Sequence, residues 1–200
     1  MQVRPLLAAE LTLAVETLAL AFDADPLFCD FLPRPAERAK WLRWFHARAL
    51  SECLAVGGAF TLEGGPATGV MGIYPPGTWP PSLLAELRAA PFPPSLPSWR
   101  FVHRGLRLDR RIHGLHPAGP HVYVYVLGVH PSQKARGLGG ALLRHAGSIA
   151  KAAGVPSHLE TSNPDNLSLY RHFGYEVRTE LTSHGGPPVW TMTTTTAPQS

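Results

Sequence analysis

Cysteine is scarce in this chain: Cys29 and Cys53 are the only two among 200 residues. They form no CxxC pair, so a disulfide scaffold is excluded and two free thiols in a reducing compartment are expected. Charge is sparse as well, at 16% of residues. The basic excess is 18 − 14 = +4, and no Lys/Arg run is interleaved with aromatics. That pattern argues against a nucleic-acid partner and suits a small acidic ligand. No apolar run approaches the ~20 residues needed to span a bilayer, and the first residues lack a charged-then-apolar leader pattern. The expectation is a soluble, cytoplasmic protein with no membrane partner. There is no GxxxxGK[ST], which removes the P-loop reading, and there are no internal repeats.

What is present is a globular apolar fraction of 44% and an excess of proline, 21 residues. The length suits one domain with a real core. A short first strand is expected within residues 1–7. Leu11, Val15, Leu18 and Phe22 recur at helical spacing, and Asp23-Ala24-Asp25-Pro26 stops that helix. A second helix over 36–53 carries Leu42, Phe45, Ala49 and Cys53 on one stripe, widened by Trp41 and Trp44. These aromatics read mainly as core, with one or two available to line a pocket. Residues 60–63 and 68–74 read as a hairpin about Gly64-Gly65-Pro66. The proline-rich stretch 75–97, with a short helix over 82–89, reads as an insertion beside a site. A helix over 98–113 carries Arg100, Arg104, Arg107, Arg110 and Arg111 spread around it as a solvated face. A tail is expected over 194–200.

The chain is organised around HVYVYVLGVHPSQKARGLGGAL, residues 121–142. An apolar strand runs into a polar turn, then Gly137-Leu138-Gly139-Gly140, then a helix over 137–153. The first amides of a helix have no intrahelical acceptors and carry partial positive charge, and glycine lets a phosphate approach them. Lys134 and Arg136 add formal charge. This is a pyrophosphate cradle. A strand over 157–162 follows, so residues 122–162 form a strand–helix–strand unit with parallel strands. Asn163-Pro164 then opens a further helix, ended at Gly174, and 175–181 pairs with 189–193. A dinucleotide-binding reading uses the GxG and places Glu160 as a ribose contact, but Leu142 stands at the third glycine position and only one such unit is evident.

Residues 129–143, VHPSQKARGLGGALL, resemble the acyl-CoA motif of the GNAT N-acetyltransferases, with Lys134, Gly137 and Gly139 on its defined positions and Lys134 replacing the usual Gln or Arg. Residues 159–177, LETSNPDNLSLYRHFGYEV, resemble that family's strand, Asn-containing turn and N-x-x-x-(L/F)-Y helix. A narrower likeness, to puromycin N-acetyltransferase and similar proteins, is carried by residues 121–129, 159–162 and 186–192.

The resemblance implies a mixed, mostly antiparallel α/β (α+β) sheet with splayed central parallel strands, flanked by helices. It implies acetyl-CoA as the acyl donor and no metal. Its holding residues would be Leu127, Gly128, Val129, Lys134, Ala135, Arg136, Gly137, Leu138, Gly139, Gly140, Asn163, Asn166 and Tyr170. Tyr170 would be the acid that protonates the leaving thiolate, since a phenol keeps its proton at neutral pH. Glu160 is one base for the amine, with His121 or water as alternatives. Asn163 is explained equally by helix capping. His113 and His116 are three apart with His121 nearby, but a His-x-x-His without a carboxylate or thiolate is a weak metal signal, and surface or loop histidines are the simpler reading. The implied activity is acetyl transfer to the primary amine of a small, antibiotic-like molecule. Acetylation of a protein or peptide amine, and non-catalytic acyl-CoA sensing, are the competing functions. A homodimer stays open.

Overall fold

A computed structural model describes residues 1–63, 67–81, 99–182 and 186–195. The expected turn at Gly64-Gly65-Pro66, the short helix over 82–89 and the end of the tail lie outside the described residues. Seven strands form one sheet: β1 (Val3–Pro5), β2 (Ala59–Leu62), β3 (Gly69–Tyr74), β4 (Val122–Val129), β5 (Ser157–Thr161), β6 (Tyr175–Leu181) and β7 (Val189–Thr194). Their order across the sheet is β1-β2-β3-β4-β5-β7-β6. Every neighbouring pair is antiparallel except β4 and β5, which are parallel as the strand–helix–strand reading requires. Thr194 belongs to β7 rather than to a tail.

The helices are α1 (Leu11–Ala21), α2 (Pro26–Phe31), α3 (Pro35–Ala55), α4 (Trp99–His113), α5 (Leu138–Ala153) and α6 (Asp165–His172). Among the described residues no helix is long and apolar enough to cross a membrane. The stripes on α1 and α3 pack on one sheet face, where Leu18, Leu50, Cys53 and Tyr74 are buried in one cluster. On the opposite face Leu138, Leu142 and Ala146 of α5 meet Met71, Ile73 and Val124. At burial of this kind, a Leu18→Ala or Leu142→Ala change costs roughly 2–5 kcal/mol.

Two departures from the sequence reading shape the centre. The segment after Asp25 is a helix, α2. Asp25 caps it, accepting from the Leu27 and Phe28 amides at 3.0 and 3.3 Å, and Pro26 occupies its first position. The same Asp-Pro that stops one helix starts the next. In β4, the register with β3 slips between Gly72 and Ile73, so Gly72 faces Val126 and Ile73 faces Val124. Tyr125 is therefore an extra residue, and the strand's alternation changes phase there. Val122 and Val124 face α5 before the bulge, and Leu127 and Val129 face it afterwards. Simple alternation would have turned Leu127 and Val129 the other way.

Candidate active site

The sheet opens at its centre. β4 and β5 pair only over Val122–Ser157, Tyr123–His158 and Val124–Leu159, and beyond those residues the parallel ladder ends. The His130 amide donates to Thr68 O at 2.7 Å. By alternation Gly128 also turns its main-chain groups toward β3, while those of Leu127 and Val129 face the gap left by β5. A sheet interior thus offers unpaired donors and acceptors that a ligand with amide groups can meet.

A cavity of about 450 Å³ continues from this gap to the head of α5. Eleven of the predicted holding residues, Leu127, Gly128, Val129, Lys134, Ala135, Gly137, Leu138, Gly139, Gly140, Asn163 and Asn166, line it, and Tyr170 closes its inner end. The turn is built for close approach. Gly137 has φ +77° and Ala135 has φ +62°, so two neighbouring residues hold left-handed conformations that L side chains disfavour. A Cβ at Gly137 would meet nothing within 4 Å, so that side of the turn is open, whereas one at Gly140 would sit 2.9 Å from Phe173. Gly140 is therefore a packing requirement as well as a lining residue. Arg136 is absent from the lining: its guanidinium donates to Gln133 Oε1 at 2.5 Å, leaving only its main chain in the turn. Asn163 Oδ1 accepts from the Asp165 amide at 3.0 Å, so capping of α6 is its observed contact, although it also borders the cavity.

A second, smaller cavity of about 130 Å³ lies between the parted strands. Phe22, Asp25, Leu127, Asn166 and Tyr170 border both cavities. Tyr170 is 8% exposed, and burial pushes its phenol well above the usual range, with Tyr175 and then Asp25 adding to the shift. Asp25 carries no functional signal in the sequence, where it reads only as part of a helix stop. Here its Oδ1 also accepts from Ser162 Oγ at 2.8 Å. Burial raises its pKa against the opposing pull of those hydrogen bonds. The aromatic side chains that reach this space are Phe22, Phe28 and Tyr125 rather than Trp41 or Trp44.

Glu160 borders the smaller cavity and shares a face with His158, whose Nε2 lies 2.9 Å from Glu160 Oε1. Of the histidines read as surface or loop residues, His113 is exposed, but the side chains of His116 and His121 are withdrawn from the surface. His116 lies in a loop, but its side chain is only 6% exposed and stacks on Trp79 at 5.1 Å. His121 is 5% exposed, held by the Gly119 carbonyl at 2.7 Å. Burial lowers the pKa of both, His116 to about 3. A His-x-Glu on one strand puts both side chains on one face, which is the signal that would have joined His158 to Glu160.

A third cavity, about 470 Å³, adjoins through Leu27 and Val189. Arg104, Arg107 and Arg111 line it with His103. The arginines of α4 are therefore not simply spread over a solvated face: these three follow helical spacing and form one wall. Arg104 pairs with Asp30 and lies over the Phe31 ring at 4.6 Å.

Residues 98–175 match the model of the Acetyltransferase (GNAT) family. Among solved structures, the fold is similar to a histone acetyltransferase HPA2 and related acetyltransferase from Corynebacterium glutamicum, with 24% identity, 100% of this chain and 98% of that one covered, and a TM-score of 0.69. It is also similar to arylalkylamine N-acetyltransferase 2 from Aedes aegypti (11% identity, 98% and 99% covered, TM-score 0.65). A third similar structure is the polyamine N-acetyltransferase of Drosophila melanogaster, which forms N-acetylagmatine (18% identity, 96% and 98% covered, TM-score 0.58). These three are acetyltransferases other than puromycin N-acetyltransferase, so the narrower likeness rests on sequence motifs alone.

Proposed function

Because residues 98–175 match the model of the Acetyltransferase (GNAT) family, we propose that the chain is a single-domain, acetyl-CoA-dependent N-acetyltransferase for the amine of a small molecule. The carrying observation is the junction at Tyr170, where the glycine-turn cavity and the gap between β4 and β5 meet. Acetyl-CoA supplies the acetyl group as a thioester. The amides at the head of α5 and Lys134 would hold its pyrophosphate, and the main chain of Leu127 and Val129 would pair with its amide-bearing arm.

The smaller cavity and its basic neighbour suit the acceptor. An amine attacks only as the free base, and the guanidinium groups of Arg104, Arg107 and Arg111 disfavour an ammonium nearby. We assign proton acceptance to Asp25 rather than to Glu160. Asp25 borders both cavities together with Tyr170, whereas Glu160 Oε1 is already engaged by His158. Asp25 takes the proton released when the amine bonds to the carbonyl carbon. The Tyr170 hydroxyl, kept protonated by burial, donates to the sulfur as the carbon–sulfur bond breaks. Return of the Asp25 proton to Tyr170 restores both groups, and the net product is an amide and a thiol.

The puromycin N-acetyltransferase likeness of residues 121–129 and 186–192 favours an antibiotic-like acceptor. The basic wall separates this chain from polycation acceptors. In an assay of CoA release over a panel of amines, neutral or carboxylate-bearing aromatic amines are expected to be acetylated with kcat/KM at least roughly tenfold above polyamines, a difference of about 1.4 kcal/mol. Tight acetyl-CoA binding with no release on any amine would replace catalysis with sensing.

A further inference from the structure

The buried histidines beside Glu160 fix one another's tautomers. The Gly119 carbonyl can only accept, so His121 Nδ1, 2.7 Å away, carries the hydrogen. His121 Nε2 then presents a lone pair in the neutral ring. His116 Nδ1 lies 3.0 Å from it and is the donor. That leaves His116 Nε2 with a lone pair, 3.4 Å from Glu160 Oε1 and without a hydrogen-bond partner. The His116 side chain is 6% exposed, so a lone pair faces a carboxylate oxygen where little water reaches. His158 completes the arrangement. Its Nδ1 lies 2.8 Å from Thr193 Oγ1, a hydroxyl able to accept, and its Nε2 lies 2.9 Å from the same Glu160 oxygen.

We propose that His116 Nε2, His158 Nε2 and Glu160 Oε1 form a binding site for a divalent transition-metal ion of zinc's class. The three ligand atoms lie within 4.8 Å of one another. The separations to the Glu160 oxygen, 2.9 and 3.4 Å, fall within the roughly 2.8–3.6 Å spanned by adjacent ligands at 90° to tetrahedral angles around an ion with bonds of about 2.0–2.2 Å. Two neutral imidazoles and a carboxylate are a common donor set for such ions.

The outer partners are also in place. A ligating imidazole typically gives its other N–H to an acceptor that fixes ring and tautomer. His121, backed by Gly119, does this for His116, and Thr193 does it for His158. Trp79 stacked on the His116 ring and Tyr123 edge-on at 4.5 Å restrict its rotation. His113 is not a member. It lies 3.3 Å from Asp109 Oδ2 and stacks on Trp79 at 4.9 Å. The ligating histidines are thus one from the loop after α4 and one from β5, not the His-x-x-His pair. Glu160 also borders the cavity between the parted strands, so the site adjoins that cavity. Binding of the ion does not rest on reading that cavity as the acceptor site.

The test uses the untagged chain, stripped with chelator and titrated with Zn(II) by calorimetry, with Co(II) as a visible-absorption probe. One ion per chain is expected. His116→Gln and Glu160→Gln should each abolish binding, His121→Gln should weaken it about 10- to 100-fold, and His113→Gln should leave it unchanged. Zn(II) should also raise the melting temperature of the wild-type chain in a concentration-dependent way. Circular dichroism establishes that each variant is folded, and the exposed His113 change controls for nonspecific loss. Should His116→Gln fail to fold, Glu160→Gln and His121→Gln carry the comparison. Absence of both heat and thermal shift in the wild type, or affinity unchanged from wild type in Glu160→Gln and His121→Gln, overturns the site. Neither readout depends on acetyl transfer, so this proposal and the enzymatic one fail separately.

Discussion

Ser162 Oγ donates a 2.8 Å hydrogen bond to Asp25 Oδ1 across 137 positions of sequence. It ties the end of β5 to the start of α2 and sets the Asp25 carboxylate beside the gap between the strands. Burial raises the Asp25 pKa and the Ser162 hydrogen bond lowers it. The acid limb of kcat/KM should therefore lie above the ordinary carboxylate range, because below its pKa Asp25 cannot accept a proton. Ser162→Ala should move that limb to still higher pH. Asp25→Asn, which keeps the helix cap, should cut turnover by about 10²- to 10⁴-fold with acetyl-CoA affinity nearly intact. An unmoved limb in both variants would return the role to Glu160 or His121.

Tyr170→Phe removes only the hydroxyl from a buried ring. Turnover should fall by about 10²- to 10⁴-fold while calorimetric acetyl-CoA affinity stays nearly unchanged. Wild-type turnover in the variant would leave Tyr170 as a packing residue.

Gly137→Val places a β-branched residue at φ +77°. The strain is about 1–3 kcal/mol. Since a Cβ there meets no protein atom within 4 Å, the loss should appear mainly in ligand binding. Acetyl-CoA affinity should drop roughly tenfold or more, with the fold retained by circular dichroism. Undiminished affinity would remove the cradle assignment.

His46 is fully buried among Phe22, Phe28 and Phe45, with Nδ1 bonded to the Leu42 carbonyl at 2.8 Å. Burial lowers its pKa from 6.5 to about 3. Below about 6.5 the unfolded chain takes a proton that the folded chain refuses until near 3, so stability falls as pH drops through that window. The His46 share is about 1.4 kcal/mol per pH unit, or about 2 kcal/mol between pH 7 and pH 5. Urea midpoints at the two pH values should converge by that amount in His46→Leu.

The strand–turn–helix–strand unit around Gly137 was legible because each part has a local signal: apolar run, glycine pair, amphipathic period. The parallel pairing of β4 with β5 followed from it. The rest depended on tertiary geometry. No local pattern distinguishes a bulge at Tyr125 from uninterrupted alternation. Asp25 reads as part of a helix stop, and only the fold adds α2, Ser162 and Tyr170 to its surroundings. β7 inserts between β5 and β6, although β6 precedes it in sequence. The Arg104, Arg107 and Arg111 spacing was visible, but which side of α4 faces a cavity was not.

The early parting of β4 and β5 has a thermodynamic consequence for the whole molecule. Where the β4–β5 ladder ends, the main-chain groups of Leu127 and Val129 face a gap that suits a linear, amide-bearing molecule. A guest there acts as an eighth, removable strand. Its residence should slow amide hydrogen exchange along β4 and β5 themselves, making the donor a temporary part of the sheet.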